Sequence, residues 1–240
     1  MKLSELNPFS NLHIAFCGVA AGNMDLRFGE EFTVLENRAK MYAKVGMQAD
    51  NIIVMDAKGE GQITTIQDLS NTFIRCDTAI YRGRNVGLAL FPADCIALVL
   101  YADVAEVVAL VHLGWKQLVD RQIERTLEIL YEDHGLIAQD FKVYVGFGIG
   151  PESYVFAEIS EAQANSKRWL RHIHKKADGY HIDLPGYVHE VLVSEGVDEK
   201  YIFHSGIDTA KGNEYFSNYQ HNLQPNIYPK GRNGFLVYIS

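Results

Sequence analysis

Cysteine is scarce in this chain: Cys17, Cys76 and Cys95 are the only three in 240 residues. So sparse and odd a set excludes the disulfide framework of a small secreted domain and suits a reducing compartment, so a cytoplasmic location is expected. Positive charge is also short. The 22 Lys and Arg face 30 Asp and Glu, a formal net charge of −8, which leaves no global footprint for nucleic acid. No apolar run is long enough for a membrane span, because residues 91–115 are interrupted by Asp103 and Glu106. The opening stretch MKLSELNPFSNLHIAFCG has no basic head leading into an apolar core, so no signal peptide is expected. Low-complexity linkers and internal repeats are absent, and one continuous domain over residues 1–240 is expected. A hydrophobic share of 48% suffices for a large core without metal or disulfide.

The elements that are there mix both periodicities. TVLENRAKMYAKVGM (33–47) has apolar residues near helical spacing, with Gly46 close to its end. NIIVM, QITTI and VGLALF follow as short β-rich runs. Residues 116–133 place Val119, Ile123, Leu127 and Leu130 on one helical face, and Gly135 supplies a stop. FKVYVGFGIGP predicts a buried strand leaving through a glycine-rich turn. EISEAQANSKRWLRHIHKK predicts a helix with a basic C-terminal part, DLPGYVHEVLVSEG another, and GFLVYI a final strand. Strands and helices do not alternate strictly, so the expected class is α+β with a sizeable mixed sheet.

Chemistry concentrates in FPADCIALVLYADVAEVVALVHLGW (91–115). Two β-rich runs flank the polar break ADVAE and predict an antiparallel hairpin centred between Asp103 and Val104. In that register Cys95 and His112 face each other, with Cβ atoms about 4.5–5.5 Å apart. An imidazole there can take the thiol proton and leave a thiolate, which attacks carbonyls or binds metal. Asp94 is placed to assist by hydrogen bonds, Gly114 to leave room for a substrate, and Trp115 to offer a stacking face. The competing reading is a buried core cysteine beside a packing tryptophan. The cluster His172, His174, His181 and Asp183 is expected to be a solvated basic helix end rather than a metal site.

ADC (93–95) and HLGW (112–115) resemble the hallmark segments of the YfiH-type laccase-domain family, also known as polyphenol oxidase or purine nucleoside phosphorylase. ENR (36–38), CD (76–77), GIGP (148–151), IDL (182–184), YFSNY (215–219) and GR (231–232) fall in family order. The resemblance implies a compact αββα domain with mixed sheets between helices. It also implies zinc, or copper in older accounts, held by one cysteine and two histidines, with Cys95 and His112 matching two of these ligands. Purine nucleosides and phosphate are the implied substrates, through phosphorolysis or adenosine deamination. Through members linked to it, the resemblance also points to editing of peptidoglycan precursors. Gly148 and Gly150 are placed by family order at the border of the pocket.

This sequence departs from the family pattern at several points. The second histidine belongs to a Q-V-H-G segment, and VMDAKGEGQITTI in that neighbourhood has none. Asp56 or Glu60 is then the candidate third ligand, since zinc accepts carboxylates. FCGVA stands where the family has an S-T-R segment, PESY where it has P-C-C-Y, and SNYQ where it has serine-tyrosine-arginine. Losing arginine forks weakens the transfer of phosphorolysis. Three readings stay open. The first is a purine-nucleoside enzyme with altered metal dependence. The second is a metal-independent Cys–His amidase, like the glutamine-deamidating bacterial toxins whose catalytic pair this site resembles. The third is a catalytically silent paralogue that binds a ligand or a protein. Multi-copper oxidase chemistry needs many paired H-x-H motifs, an arrangement this chain lacks. The natural substrate and the oligomeric state are left open.

Overall fold

Strict alternation within residues 96–113 fixes the layering of the molecule. A computed structural model describes residues 2–240. In chain order the first part contributes β1 (Ser4–Phe9), β2 (Leu12–Cys17), α1 (Glu31–Lys44), β3 (Ile52–Met55), β4 (Ile63–Ile66), β5 (Phe73–Ile74), β6 (Thr78–Arg82) and β7 (Gly87–Leu90). The central hairpin β8 (Ile96–Ala102) and β9 (Val107–Leu113) follows, then α2 (Trp115–Val119), α3 (Gln122–His134) and β10 (Lys142–Val145). The remainder adds β11 (Val155–Phe156), α4 (Glu161–Ala164), α5 (Lys167–Arg171), β12 (Ile173–Lys176) and β13 (Gly179–Ile182). Then come α6 (Leu184–Ser194), β14 (Ile202–His204), α7 (Asn218–Leu223) and β15 (Gly234–Ile239).

The strands form two six-stranded sheets, ordered β1-β2-β15-β7-β3-β5 and β14-β10-β8-β9-β6-β4, beside a three-stranded sheet β11-β13-β12. Both large sheets are mixed: β3 runs parallel to β7 while β15 runs antiparallel to it, and β14 runs parallel to β10 while β8 runs antiparallel to it. Every side chain of β8 is buried, because side chains of period two feed two different cores. Leu98, Leu100 and Ala102 join the core beneath α3 and α6, with Leu127 and Val188. Ala97, Val99 and Tyr101 turn the other way and meet Phe16, Leu88 and Phe235 of the first sheet. On the far side of that sheet, Ala15, Ile52 and Leu236 pack against Met41 and Tyr42 of α1. The order is therefore helix, sheet, sheet, helices: the αββα arrangement, in one mixed α+β domain. Each fully buried Leu or Val contributes about 1.5–3 kcal/mol, so the layers hold without metal or disulfide. No helix among the described residues is long and apolar enough to cross a membrane.

Three local expectations are corrected. The hairpin is centred one residue later, between Val104 and Ala105: His112 pairs with Ala97 and Leu113 with Ile96. Its four-residue loop leaves Val104 fully exposed and sets Glu106 at φ 53. The helix expected over 116–133 is two helices, α2 and α3, separated at Arg121, which adopts φ 56; no glycine or proline marks that break. The long helix expected from EISEAQANSKRWLRHIHKK is α4, α5 and then strand β12. Ser160 and Ser166 each accept a helix-starting amide, from Gln163 and Trp169, so two short helices begin where one was expected. His174 consequently lies in a strand opposite His181, not on a helix.

Candidate active site

Cys95 lies one residue before β8 and continues the row of Ala97 and Val99; His112 continues the row of Val108 and Leu110. Both rows face the layer between the two large sheets. With the observed register, Gly114 stands opposite Cys95, and Cys95 and His112 are diagonal neighbours on one face, still within reach of each other. The sulfur lies near enough to the ring to favour its charged form. They open onto a cavity of about 600 Å³ at the carboxyl ends of β3 and β7.

A third residue completes the pair. Asp77 immediately precedes β6, where strand pairing with β9 brings its carbonyl to the His112 amide at 2.7 Å. Its side chain meets His112 Nδ1 at 2.8 Å and accepts the Gly59 and Gly61 amides at 3.0 and 2.7 Å. Asp77 is 1% exposed. Burial pushes its carboxyl upward, but the hydrogen bonds from His112 and the two glycine amides outweigh this and hold it below the usual carboxylate range. For His112, burial opposes the charged ring, while the Cys95 sulfur and the Asp77 carboxylate raise its pKa to about 9. Nδ1 therefore donates to Asp77, and Nε2 is left for Cys95. Sulfur, imidazole and carboxylate stand in the order of a nucleophile, its proton carrier and the group that orients the carrier. Burial pushes the Cys17 and Cys76 thiols up to about 12, so neither is a competing nucleophile.

Asp77 had no role in the sequence reading, where CD (76–77) was only a family segment. Recognising TAIYR (78–82) as the strand beside VVALVHL would have placed Asp77 next to His112.

The other expected site residues divide. Trp115 lines the cavity, and so does Gly114. A Cβ on Gly114 would stand 3.1 Å from the Cys95 sulfur and 2.9 Å from Gln117 Oε1, which accepts the Gly114 amide. The Gly114 backbone has φ −95 and tolerates alanine. Gly114→Ala should therefore spare the fold and displace the thiol, slowing alkylation of Cys95 by iodoacetamide at least about tenfold, as about 1 Å of misplacement does at reacting centres. Mass-resolved alkylation kinetics beside a melting curve check this.

Asp94 lines the cavity but spends its carboxylate inward. It accepts Thr209 Oγ1 at 2.8 Å and the Tyr219 amide at 2.7 Å, and burial raises its pKa above the usual range. Its φ of 75 makes the bend that presents Cys95. The Tyr219 hydroxyl in turn donates to the Val155 carbonyl. Tyr219 packs edge-on to Tyr154 and Phe156, at 5.7 and 5.8 Å between centroids, and the three rings form an aromatic wall of the cavity. Gly148 and Gly150 are not among its lining residues. A Cβ at either would collide with Ile96 or Asp208 at 2.6 or 2.7 Å, so their small size serves packing behind the site.

A family profile described as multi-copper polyphenol oxidoreductase laccase matches residues 18–239. The chain belongs to this family. A Deinococcus radiodurans relative named purine nucleoside phosphorylase is 30% identical over 190 residues, covering 77% of this chain and 74% of the relative. One from Xylella fastidiosa with the same name is 22% identical over 222 residues, covering 87% and 79%. Among solved structures, the hypothetical protein YfiH of Bacillus licheniformis superposes with a TM-score of 0.84 at 18% identity, covering 95% of this chain and 93% of that one. YlmD from Geobacillus stearothermophilus gives 0.83 at 19%, covering 98% and 94%.

The laccase-domain family is associated with copper or zinc, and the donors here do not fit such an ion. Zinc takes three or four protein ligands, and Cys95 with His112 supplies two. Asp77 is committed to His112 and two amides. Asp56 lines the cavity but pairs with Lys58 at 2.8 Å, and Glu60 pairs with Arg75 outside it. Among the described residues, no group of three or more His, Cys, Asp or Glu side chains is placed to hold a metal.

Proposed function

We propose that this laccase-domain protein processes purine nucleosides, with His112 as the proton carrier, Asp77 holding its tautomer and Cys95 as its charge partner. The observation that carries the reading is the Asp77–His112–Cys95 line opening on a cavity with aromatic walls. A purine has a flat face suited to Trp115 and Tyr154 and needs a proton as it departs. In phosphorolysis a phosphate oxygen bonds to C1′ and the C1′–N9 bond breaks toward the base. The imidazolium then delivers a proton to the purine, and the products are ribose 1-phosphate and free base. Relatives named purine nucleoside phosphorylase support this substrate class. In adenosine deamination by the same site, water adds at C6 and ammonia leaves.

A second reading is favoured by the same line of three groups: amide hydrolysis, in which the Cys95 thiolate adds to the carbonyl, His112 protonates the departing ammonia, and water cleaves the thioester.

The test is base release from adenosine and inosine, with and without phosphate, by untagged protein and by Cys95→Ala. Phosphate-dependent release lost about 10³-fold or more in the variant is the expected result. Ammonia from adenosine without base release assigns deamination. Inactivity on both nucleosides, with a thioester trapped on Cys95 by an amide substrate, moves the assignment to the second reading. Inactivity with an unreactive Cys95 leaves a ligand-binding or protein-binding paralogue.

A further inference from the structure

Some family arginines are missing, but three other arginines stand in the cavity, two of them within the ENR (36–38) and GR (231–232) segments. Arg27, Arg38 and Arg232 all line it, from a 3₁₀ turn, from α1 and from the loop before β15. Arg27 is neutralised by Asp25, which takes both its Nε and its terminal nitrogen. The other two have no carboxylate partner. Arg38 is 7% exposed, and its Nε donates to the Met24 carbonyl at 2.7 Å. The Met24 amide donates to the Arg232 carbonyl at 3.1 Å, so one buried residue fastens both arginines. Arg232 Nη1 donates to the Gly231 carbonyl at 2.9 Å. Their remaining N–H groups have no acceptor among the described residues.

Aromatic rings stand where carboxylates would be expected. The Arg38 guanidinium lies 4.2 Å from the Phe91 centroid, and Arg232 lies 4.4 Å from that of Phe28, which Lys230 also approaches at 5.0 Å. A ring face orients a guanidinium without cancelling its charge. Burial makes both arginines less willing to carry that charge, and for Arg232 the like charge of Arg27 adds to this. A structural arginine saturates its fork with carbonyls and carboxylates; these two keep theirs free at a cavity wall, in a chain of net charge −8. Both arginines line the same cavity as Cys95, His112 and Trp115, so their free N–H groups share the chamber with the reacting groups.

We infer that Arg38 and Arg232 form a subsite for a phosphate-type dianion in the cavity onto which Cys95 opens. The inference rests on the purine-nucleoside reading only for which molecule brings the anion: free phosphate as co-substrate, or the phosphoryl group of a nucleotide. Two planar forks fit a tetrahedral dianion through paired N–H bonds.

Calorimetric titration of the full chain tests it, with inorganic phosphate, adenosine and adenosine 5′-monophosphate as separate probes. Wild type binds phosphate, and Arg232→Gln and Arg38→Gln each raise its Kd about tenfold or more, about 1.4 kcal/mol. Arg232→Lys recovers part of the loss, because charge returns without the fork. Should Arg38→Gln fail to fold by circular dichroism, Arg232→Gln carries the comparison, since Arg232 is only half-buried and lies in a loop. Monophosphate binding at least about tenfold tighter than phosphate identifies a nucleotide substrate; equal or weaker binding identifies free phosphate. No phosphate or monophosphate binding to wild type at about 10 mM, or unchanged Kd in the arginine variants, overturns the subsite. Arginine-dependent phosphate binding without any adenosine binding keeps the subsite and removes the nucleoside reading; adenosine binding without phosphate binding does the reverse.

Discussion

Asp77→Asn is expected to lower turnover about 10²–10⁴-fold while leaving Cys95 and the cavity walls in place. An asparagine amide facing His112 Nδ1 no longer demands a proton there, so the neutral ring, once formed, adopts the other tautomer and meets Cys95 with N–H instead of a lone pair. The imidazolium also loses its carboxylate. In the wild type the His112 pKa is raised from 6.5 to about 9. A raised folded-state value means stabilisation that is fully present below the unfolded pKa of 6.5 and is lost as pH rises through about 9. Asp77→Asn should move that alkaline limb to lower pH. Ring-proton NMR of His112 locates the inflection, and melting curves across pH follow the stability. An unchanged inflection, or activity within about threefold of wild type, would break the assigned order of the three groups.

The largest expected effect on stability comes from Phe235→Ala. Phe235 is fully buried between the two large sheets, stacked on Phe16 at 6.4 Å and edge-on to Phe147 at 5.6 Å. Its ring lies against the backbone of Gly146, where a Cβ would approach it to 2.8 Å. With backbone on one side and aromatic rings on the others, the space left by alanine has little to collapse into. The expected cost is about 3–5 kcal/mol, a large share of the 5–15 kcal/mol typical of a domain. Equilibrium urea unfolding measures it; a loss below about 1 kcal/mol would mean that the two sheets are not locked together at this point.

A sizeable mixed sheet was legible because VLY and VVALV carry unbroken apolar side chains, as strands buried on both faces do; its division into two packed sheets came only from the family resemblance. Helical spacing located α1, α3 and α6 for the same reason. The hairpin centre was missed by one residue, since ADVAE contains no Asn-Gly or similar pair that fixes a turn. Cys95 and His112 nevertheless stayed on one face, because moving the centre by a whole residue shifts the pairing by two and preserves parity. Asp77 was hidden because its partner lies 35 residues away and TAIYR was not recognised as a strand. The cationic wall was hidden for another reason. Arg38 and Arg232 are 194 positions apart in the 240-residue chain and are brought to one cavity by hydrogen bonds to the backbone of Met24, which carries no chemical signature of its own.

Tyr219 is gripped at both ends, by Asp94 at its amide and by Val155 at its hydroxyl. The aromatic side of the cavity therefore cannot swing outward alone: any opening there pulls on the same bend that aims the sulfur. Admission of a ligand and alignment of the thiol are coupled mechanically, so a molecule too bulky for the chamber would be disfavoured twice, once by crowding and once by dislodging the group meant to meet it.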